Sequence, residues 1–153
     1  MFASHREIQE AVVARFPDAV HVVGADAVAE RDAAVRAFQA PEGPQLIVCS
    51  TRVGGQGITL TRASNVAFLD LEWSPAMHDQ AEDRCHRIGQ HDAVTAWYLL
   101  AAETIDEEMA SVLARKRGIV GAVTDGRRDE SEAVVQSVVR ALRAKPLRHL
   151  RAA

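Results

Sequence analysis

Short runs of apolar residues, separated by stretches with helical spacing, constrain this chain more than any other feature. Residues 46–49 (Leu-Ile-Val-Cys) are apolar throughout, and 66–71 nearly so. A strand with one face in water alternates apolar and polar residues, whereas a continuous apolar run suits a strand buried on both faces of a parallel sheet. Residues 20–23, which stop at Gly24, and 94–100 are two further strand candidates. Helical periodicity fills the intervals. Ser4 and Glu7 have capping-box spacing, and Ile8, Ala11, Val12 and Phe16 follow it at helical intervals. A second helix is expected over 28–38, before Pro41, Gly43 and Pro44 break the chain. Pro75 opens a third, expected to end near Gly89, and Thr104 with Glu107 marks a fourth, on which Ile105, Met109, Val112 and Leu113 share one face. Strands alternating with helices predict an α/β fold with a mainly parallel sheet flanked by helices.

The first strand of that alternation is nearly missing, with only Phe2 and Ala3 before the first helix. Such a layer is left with an open edge or a gap, so the first strand is expected to be truncated and the native polypeptide to begin upstream of Met1. The sheet-and-helix pattern covers residues 1–118. Residues 119–128, with Gly126-Arg-Arg128 at their end, read as a linker. Residues 129–153 read as a terminal amphipathic helix, with its stripe at Val134, Val135, Val138, Val139 and Leu142, and a basic tail.

Composition narrows the function classes. The 153 residues are 48% hydrophobic and 25% charged, ordinary for a globular domain, and the net charge of −3 lacks the strong basic bias of a free-standing nucleic-acid binder. The two cysteines, Cys49 and Cys85, form no C-x-x-C pair and imply no disulfide framework; Cys49, in an apolar run, reads as a small core residue. A reducing cytoplasm fits, with association to a nucleoid if the source is bacterial. The start has no signal-peptide pattern, and no apolar stretch reaches the ~18 residues of a membrane span, so no membrane partner is expected.

Two segments carry chemistry. In the first, the buried strand at 46–49 runs through Ser50, Thr51 and Arg52 into a turn with Gly54, Gly55 and Gly57. Such glycines let a backbone approach a phosphate or another backbone, and open α/β sheets bind ligands at the carboxyl ends of their strands. A plain tight turn into a helix reads equally from the residues, and no Gly-Lys-Ser/Thr follows to make a P-loop. The second segment is Gln80-Ala-Glu-Asp-Arg-Cys-His-Arg-Ile-Gly-Gln90. On a continuous helix, Met77, Ala81, Cys85 and Ile88 form one stripe, and Gln80, Arg84 and Arg87 another roughly 90° away. Both guanidiniums would then stand at the rim of the packed face, suited to phosphate oxygens. The alternative pairs them with Asp79, Glu82 or Asp83 on a solvated face. His78 and Glu82 are four apart, but no cluster completes a metal site, and none is expected. Trp73 and Trp97, each beside a strand, read as core or interface residues, with base stacking as the alternative.

These segments, in this order, resemble the C-terminal RecA-like lobe of Swi/Snf-type superfamily-two ATPases, over about residues 2–116. Phe2-Ala-Ser-His5 resembles the end of that family's motif IV strand. Gly24, Arg31 and Phe38 match its G…R…F pattern, and 50–61 resembles motif V. Asp70-Leu-Glu-Trp-Ser-Pro75 resembles D-x-x-W-N-P, 80–90 resembles motif VI, and Thr104-Ile-Asp-Glu-Glu-Met109 resembles the helix that follows. Thr59 and Ser74 stand where the family usually has Asn.

The resemblance implies that Arg84 and Arg87 are arginine fingers directed at an ATP γ-phosphate, with Gln80, Gly55 and Gly57 on the nucleotide side. It implies that Ser50, Thr51, Arg52 and Gly54 contact the phosphate backbone of double-stranded or forked DNA. It also implies a first RecA-like lobe, upstream in the same chain or separate, which would hold ATP and Mg2+. This chain contains no Gly-x-x-x-x-Gly-Lys-Thr cradle and no Asp-Glu-x-His segment, so it is expected neither to ligate the Mg2+ nor to turn over ATP alone. A non-catalytic DNA- or protein-binding module derived from a motor, or a gene remnant without selected function, would carry the same motifs.

Overall fold

The computed structural model describes residues 1–54 and 57–124. The chain divides into two compact units, Met1–Met109 and Ala110–Ala153. The first unit holds a five-stranded sheet. In chain order its elements are β1 (Phe2–Ala3), α1 (Arg6–Arg15), β2 (Val20–Val22), α2 (Val28–Gln39), β3 (Ile47–Ser50), α3 (Thr51–Gly54), β4 (Asn65–Phe68), α4 (Pro75–Glu82) and β5 (Thr95–Tyr98). The strand order is β2-β3-β1-β4-β5, and every pairing is parallel. All five carboxyl ends therefore point to one edge of the sheet. That edge gathers Ser4, Val23, Thr51, Leu69 and Leu99, each the residue that follows a strand.

The continuous apolar runs lie where a doubly covered sheet requires them. All four residues of β3 are buried, and α1 packs on β1 and β3 while α2 packs on β2. Phe2 stacks on Phe68 with ring centroids 5.7 Å apart, Phe68 stacks on Tyr98 at 4.9 Å, and His78 meets the Phe68 ring edge-on at 4.9 Å. Cys49 is fully buried, as its apolar run predicts, and burial pushes its thiol up to about 12. The G…R…F pattern has a physical basis. Phe38 enters the core from α2, while Arg31, about two turns earlier, donates from Nη2 to the Gly24 carbonyl at 3.0 Å and ties the helix to the end of β2.

Several expectations are corrected. The short β1 is not at an edge; it is the central strand, pairing Phe2 with Cys49 on one side and with Phe68 on the other. Beside it lies a cavity of about 300 Å³ lined by Phe2, Ile47, Leu60 and Val66 among others. Ser4 does not cap α1. His5 occupies the N-cap position, because the Ser4 N–H is drawn instead to Asp70 at the end of β4. At the other helix, Thr104 does cap, although its Oγ1 accepts from Asp106 N–H at 3.2 Å.

The largest difference is at α4, which stops at Glu82 rather than near Gly89. Beyond it the ladder becomes irregular: Arg84 N–H to Ala81 O and Cys85 N–H to Glu82 O are i→i−3 bonds, while His86 N–H to Glu82 O is i→i−4. The Arg84 carbonyl, needed to continue the helix, accepts Leu60 N–H at 2.8 Å instead, and Gly89 turns the chain at φ 102°. Ala81 and Cys85 still reach the core, but Ile88 is fully exposed. The two-stripe helix is therefore not formed beyond residue 82. Trp73 and Trp97 are both more than half exposed and so are not core residues.

The helix α5 spans Ile105–Thr124. Residues 119–124, expected as linker, are thus helical; the terminal helix and tail expected over 129–153 lie outside the described residues. No described helix is long and apolar enough to cross a membrane.

Candidate functional site

Two clusters carry the residues singled out by sequence. The first is built at the carboxyl edge of the sheet where β1, β3 and β4 end side by side. Asp70, just past β4, has a largely buried side chain. Its carboxylate accepts the Ser4 N–H at 2.8 and 3.0 Å, the His5 N–H at 3.0 Å, and a contact from His5 Nδ1 at 2.7 Å. Burial alone would raise this carboxyl; the His5 and Ser4 amides and the His5 ring outweigh it and hold the group below its usual range. The same turn brings Ser4 Oγ to 3.3 Å from Thr51 Oγ1, so the start of α1 and the start of α3 are joined.

Ser50 and Thr51 are buried, at 7% and 2% exposure. The Thr51 hydroxyl accepts from Ser4 Oγ there, and Ser50 lines the neighbouring pocket with Ser4 and Gln9. Arg52, by contrast, is exposed, with Nε 3.9 Å from Glu72 Oε1, too long for a tight ion pair. The Glu72 backbone is held in turn by His78, whose Nε2 accepts its N–H at 3.3 Å. His78 is therefore a buried core residue that positions the β4–α4 connection. Among the described residues no group of three or more His, Cys, Asp or Glu is arranged to hold a metal ion.

The second cluster joins the segment after the glycine turn to the turn after α4. Gly57 adopts φ 79°, the left-handed region that only glycine enters without strain. Gly54 ends α3, and Gly55 lies outside the described residues. Gln80 is exposed on α4. Arg84 and Arg87 follow, off the helix. Leu60 N–H binds the Arg84 carbonyl, while Arg87 donates from Nε to Asp83 O and from Nη1 to Thr59 Oγ1, both at 3.2 Å. Gln90 Nε2 closes the far side on the Ala63 carbonyl at 2.8 Å. Arg84 is nearly buried, and that burial, followed by the charge of Arg87, holds its pKa below the ordinary guanidinium value against the opposing pull of Asp83. Two cations so placed favour an anion between or beside them.

Sequence reasoning named Asp70 and Thr59 only as positions in family motifs, without their contacts, and overlooked Arg62. Asp70 organises the strand ends, and an acid directly after a buried strand was the available signal. Thr59 receives Arg87. Arg62 donates to the carbonyls of Phe38, Pro44, Gly43 and Pro41 and so braces the same segment from behind; nothing in its local sequence marks it.

Comparison with known proteins gives the family. Residues 5–89, more than half of the chain, match the family model described as the helicase conserved C-terminal domain. The chain belongs to that family. Within it, the relatives are of the Swi/Snf type. The human "DNA annealing helicase and endonuclease ZRANB3" is 36% identical over 137 residues, covering 87% of this chain and 13% of that protein. The Caenorhabditis elegans "SWI/SNF-related matrix-associated actin-dependent regulator of chromatin subfamily A-like protein 1 homolog" is 35% identical over 128 residues, covering 81% and 19%. Among solved structures, the C-terminal part of the Fun30 ATPase domain superposes with a TM-score of 0.66 at 28% identity, covering 73% of this chain and 37% of that one. The chain is thus a Swi/Snf-type, superfamily-two C-terminal helicase lobe with a RecA-like fold, and it spans a small fraction of the length of the proteins it resembles.

Proposed function

We propose that this lobe works as the second half of an ATP-dependent DNA translocase. In this reading Arg84 and Arg87 act as arginine fingers on the phosphates of ATP, and the carboxyl edge around Ser50, Thr51, Arg52 and Gly54 meets the phosphate backbone of double-stranded or forked DNA. The observation that carries it is the joined cluster. The segments that resemble motif V and motif VI are tied by the Leu60–Arg84 and Thr59–Arg87 bonds, which supports a coupling between the DNA contacts proposed for one and the nucleotide contacts proposed for the other.

The residues fit a phosphate. Arg87 is exposed; burial first, and the Arg87 charge second, hold the Arg84 guanidinium below its ordinary value, and an anion would relieve the repulsion between the two cations. ATP supplies the phosphoanhydride whose hydrolysis drives the cycle. Arg84 and Arg87 would offset negative charge on the phosphoryl oxygens, and Gln80, Gly55 and Gly57 would border the same cleft. The nucleotide and its Mg2+ would be held chiefly by a first RecA-like lobe, in cis or in trans. Ser50 and Thr51, both buried, would act on DNA through the backbone they position, and the exposed Arg52 directly. Contacts of that kind carry affinity without reading sequence.

The test joins the chain to a first lobe and changes Arg84 or Arg87 to Ala. Each substitution is expected to lower kcat by about 10³-fold or more, with DNA binding largely kept, because the loss falls on the transition state. An active motor whose kcat ignores both substitutions would refute the finger assignment.

A further inference from the structure

Arg87 is held at two points. Its Nε donates to the Asp83 carbonyl within its own turn, and its Nη1 donates to Thr59 Oγ1, 28 residues away in sequence, both at 3.2 Å. The adjoining Leu60 N–H binds the Arg84 carbonyl at 2.8 Å, so the backbone that presents the Thr59 hydroxyl is itself fastened to the turn that presents Arg87. Nε and Nη1 belong to one rigid plane; anchoring both fixes the orientation of the guanidinium as well as its position. Nη2 takes part in neither contact, and the side chain remains exposed.

We propose that Thr59 is a positioning residue for Arg87. Its hydroxyl holds the guanidinium plane in the orientation from which Nη2 reaches a nucleotide phosphate, so the ordering of a long side chain is completed before the nucleotide arrives. The inference rests on the finger role of Arg87. It assigns a purpose to the Thr59 hydroxyl. A rest-position contact, one that Arg87 must break to act, would give the opposite sign in the rate.

Two measurements test it. In the isotope-labelled chain, the Arg87 side-chain NMR signals are identified by their loss in Arg87→Ala. They are expected to show hindered guanidinium rotation in the unaltered chain and in Thr59→Ser, and free rotation in Thr59→Val. Unchanged rotation in Thr59→Val would overturn the inference without any reference to activity. With a first lobe joined, Thr59→Val is expected to lower kcat by about three- to tenfold, with KM for the nucleotide within about twofold, and Thr59→Ser to restore it. A kcat that rises or stays level in Thr59→Val would overturn the positioning role while leaving the finger intact. If Arg87→Ala itself left kcat unchanged, the finger reading would fall and take this inference with it.

Discussion

Replacing Arg62 by Ala removes the brace behind the segment that receives Arg84 and Arg87. The guanidinium donates to Phe38 O at 2.7 Å and Pro44 O at 2.8 Å, both partly buried, and to Gly43 O at 3.1 Å and Pro41 O at 3.3 Å. It also lies over the Phe38 ring, 5.5 Å from its centroid. The two short bonds from a charged donor contribute about 1–1.5 kcal/mol each; the two longer ones, of which that to Pro41 is exposed, add at most about 0.5 kcal/mol each. The ring contact is near the lower end, about 0.5 kcal/mol. Water can re-solvate part of the released carbonyls, so the expected loss is about 3 kcal/mol. At roughly 4 °C of melting temperature per kcal/mol, Tm falls by roughly 12 °C. Lys has one compact ammonium and cannot span four carbonyls, so Arg62→Lys recovers less than half. Urea unfolding of the unaltered chain, Arg62→Ala and Arg62→Lys measures this. A loss below about 1 kcal/mol, or full rescue by Lys, would show that the four-carbonyl fork does not hold the α2–β3 loop and the segment beside it.

Other outcomes follow from the same structure. Burial pushes the Cys49 thiol up to about 12 and the Cys85 thiol up to about 11, so neither forms thiolate near neutral pH; both are expected to resist a disulfide reagent at about pH 8 in the native chain and to react fully in denaturant, as a thiol titration would count. Asp70 has a folded pKa below its unfolded value, so its contribution is present above about pH 4 and is lost as pH falls through the folded value. Asp70→Asn is therefore expected to cost about 1–2 kcal/mol near neutrality and to flatten the acid limb of the stability curve; an unchanged acid limb would contradict this.

Much of this architecture was legible in sequence because the deciding forces there are local. The run 46–49 is apolar at every position, and the strand it predicts is shifted by only one residue, to Ile47–Ser50. Gly24, Arg31 and Phe38 were legible only as a family pattern, and the structure gives that pattern its physical basis as turn, tie and core residue. What failed was decided at long range. α4 ends early because Leu60, more than twenty residues upstream, takes the Arg84 carbonyl. Ser4 loses its capping role to Asp70, some 66 residues away. A helix drawn through to Gly89 placed Arg84 and Arg87 on a shared stripe; the structure instead brings them together on a turn, through contacts with a different segment. The Arg62 fork, which binds four main-chain oxygens of a loop, has no periodicity or motif by which it could be found.

The most direct test of the account is ATP turnover by the chain alone and by the chain joined to a first RecA-like lobe, each with and without duplex DNA. The account predicts no turnover above background for the chain alone under either condition, and DNA-stimulated turnover once the first lobe is present. Hydrolysis by the 153-residue chain itself, or a joined pair that binds nucleotide and DNA yet stays inactive, would contradict it.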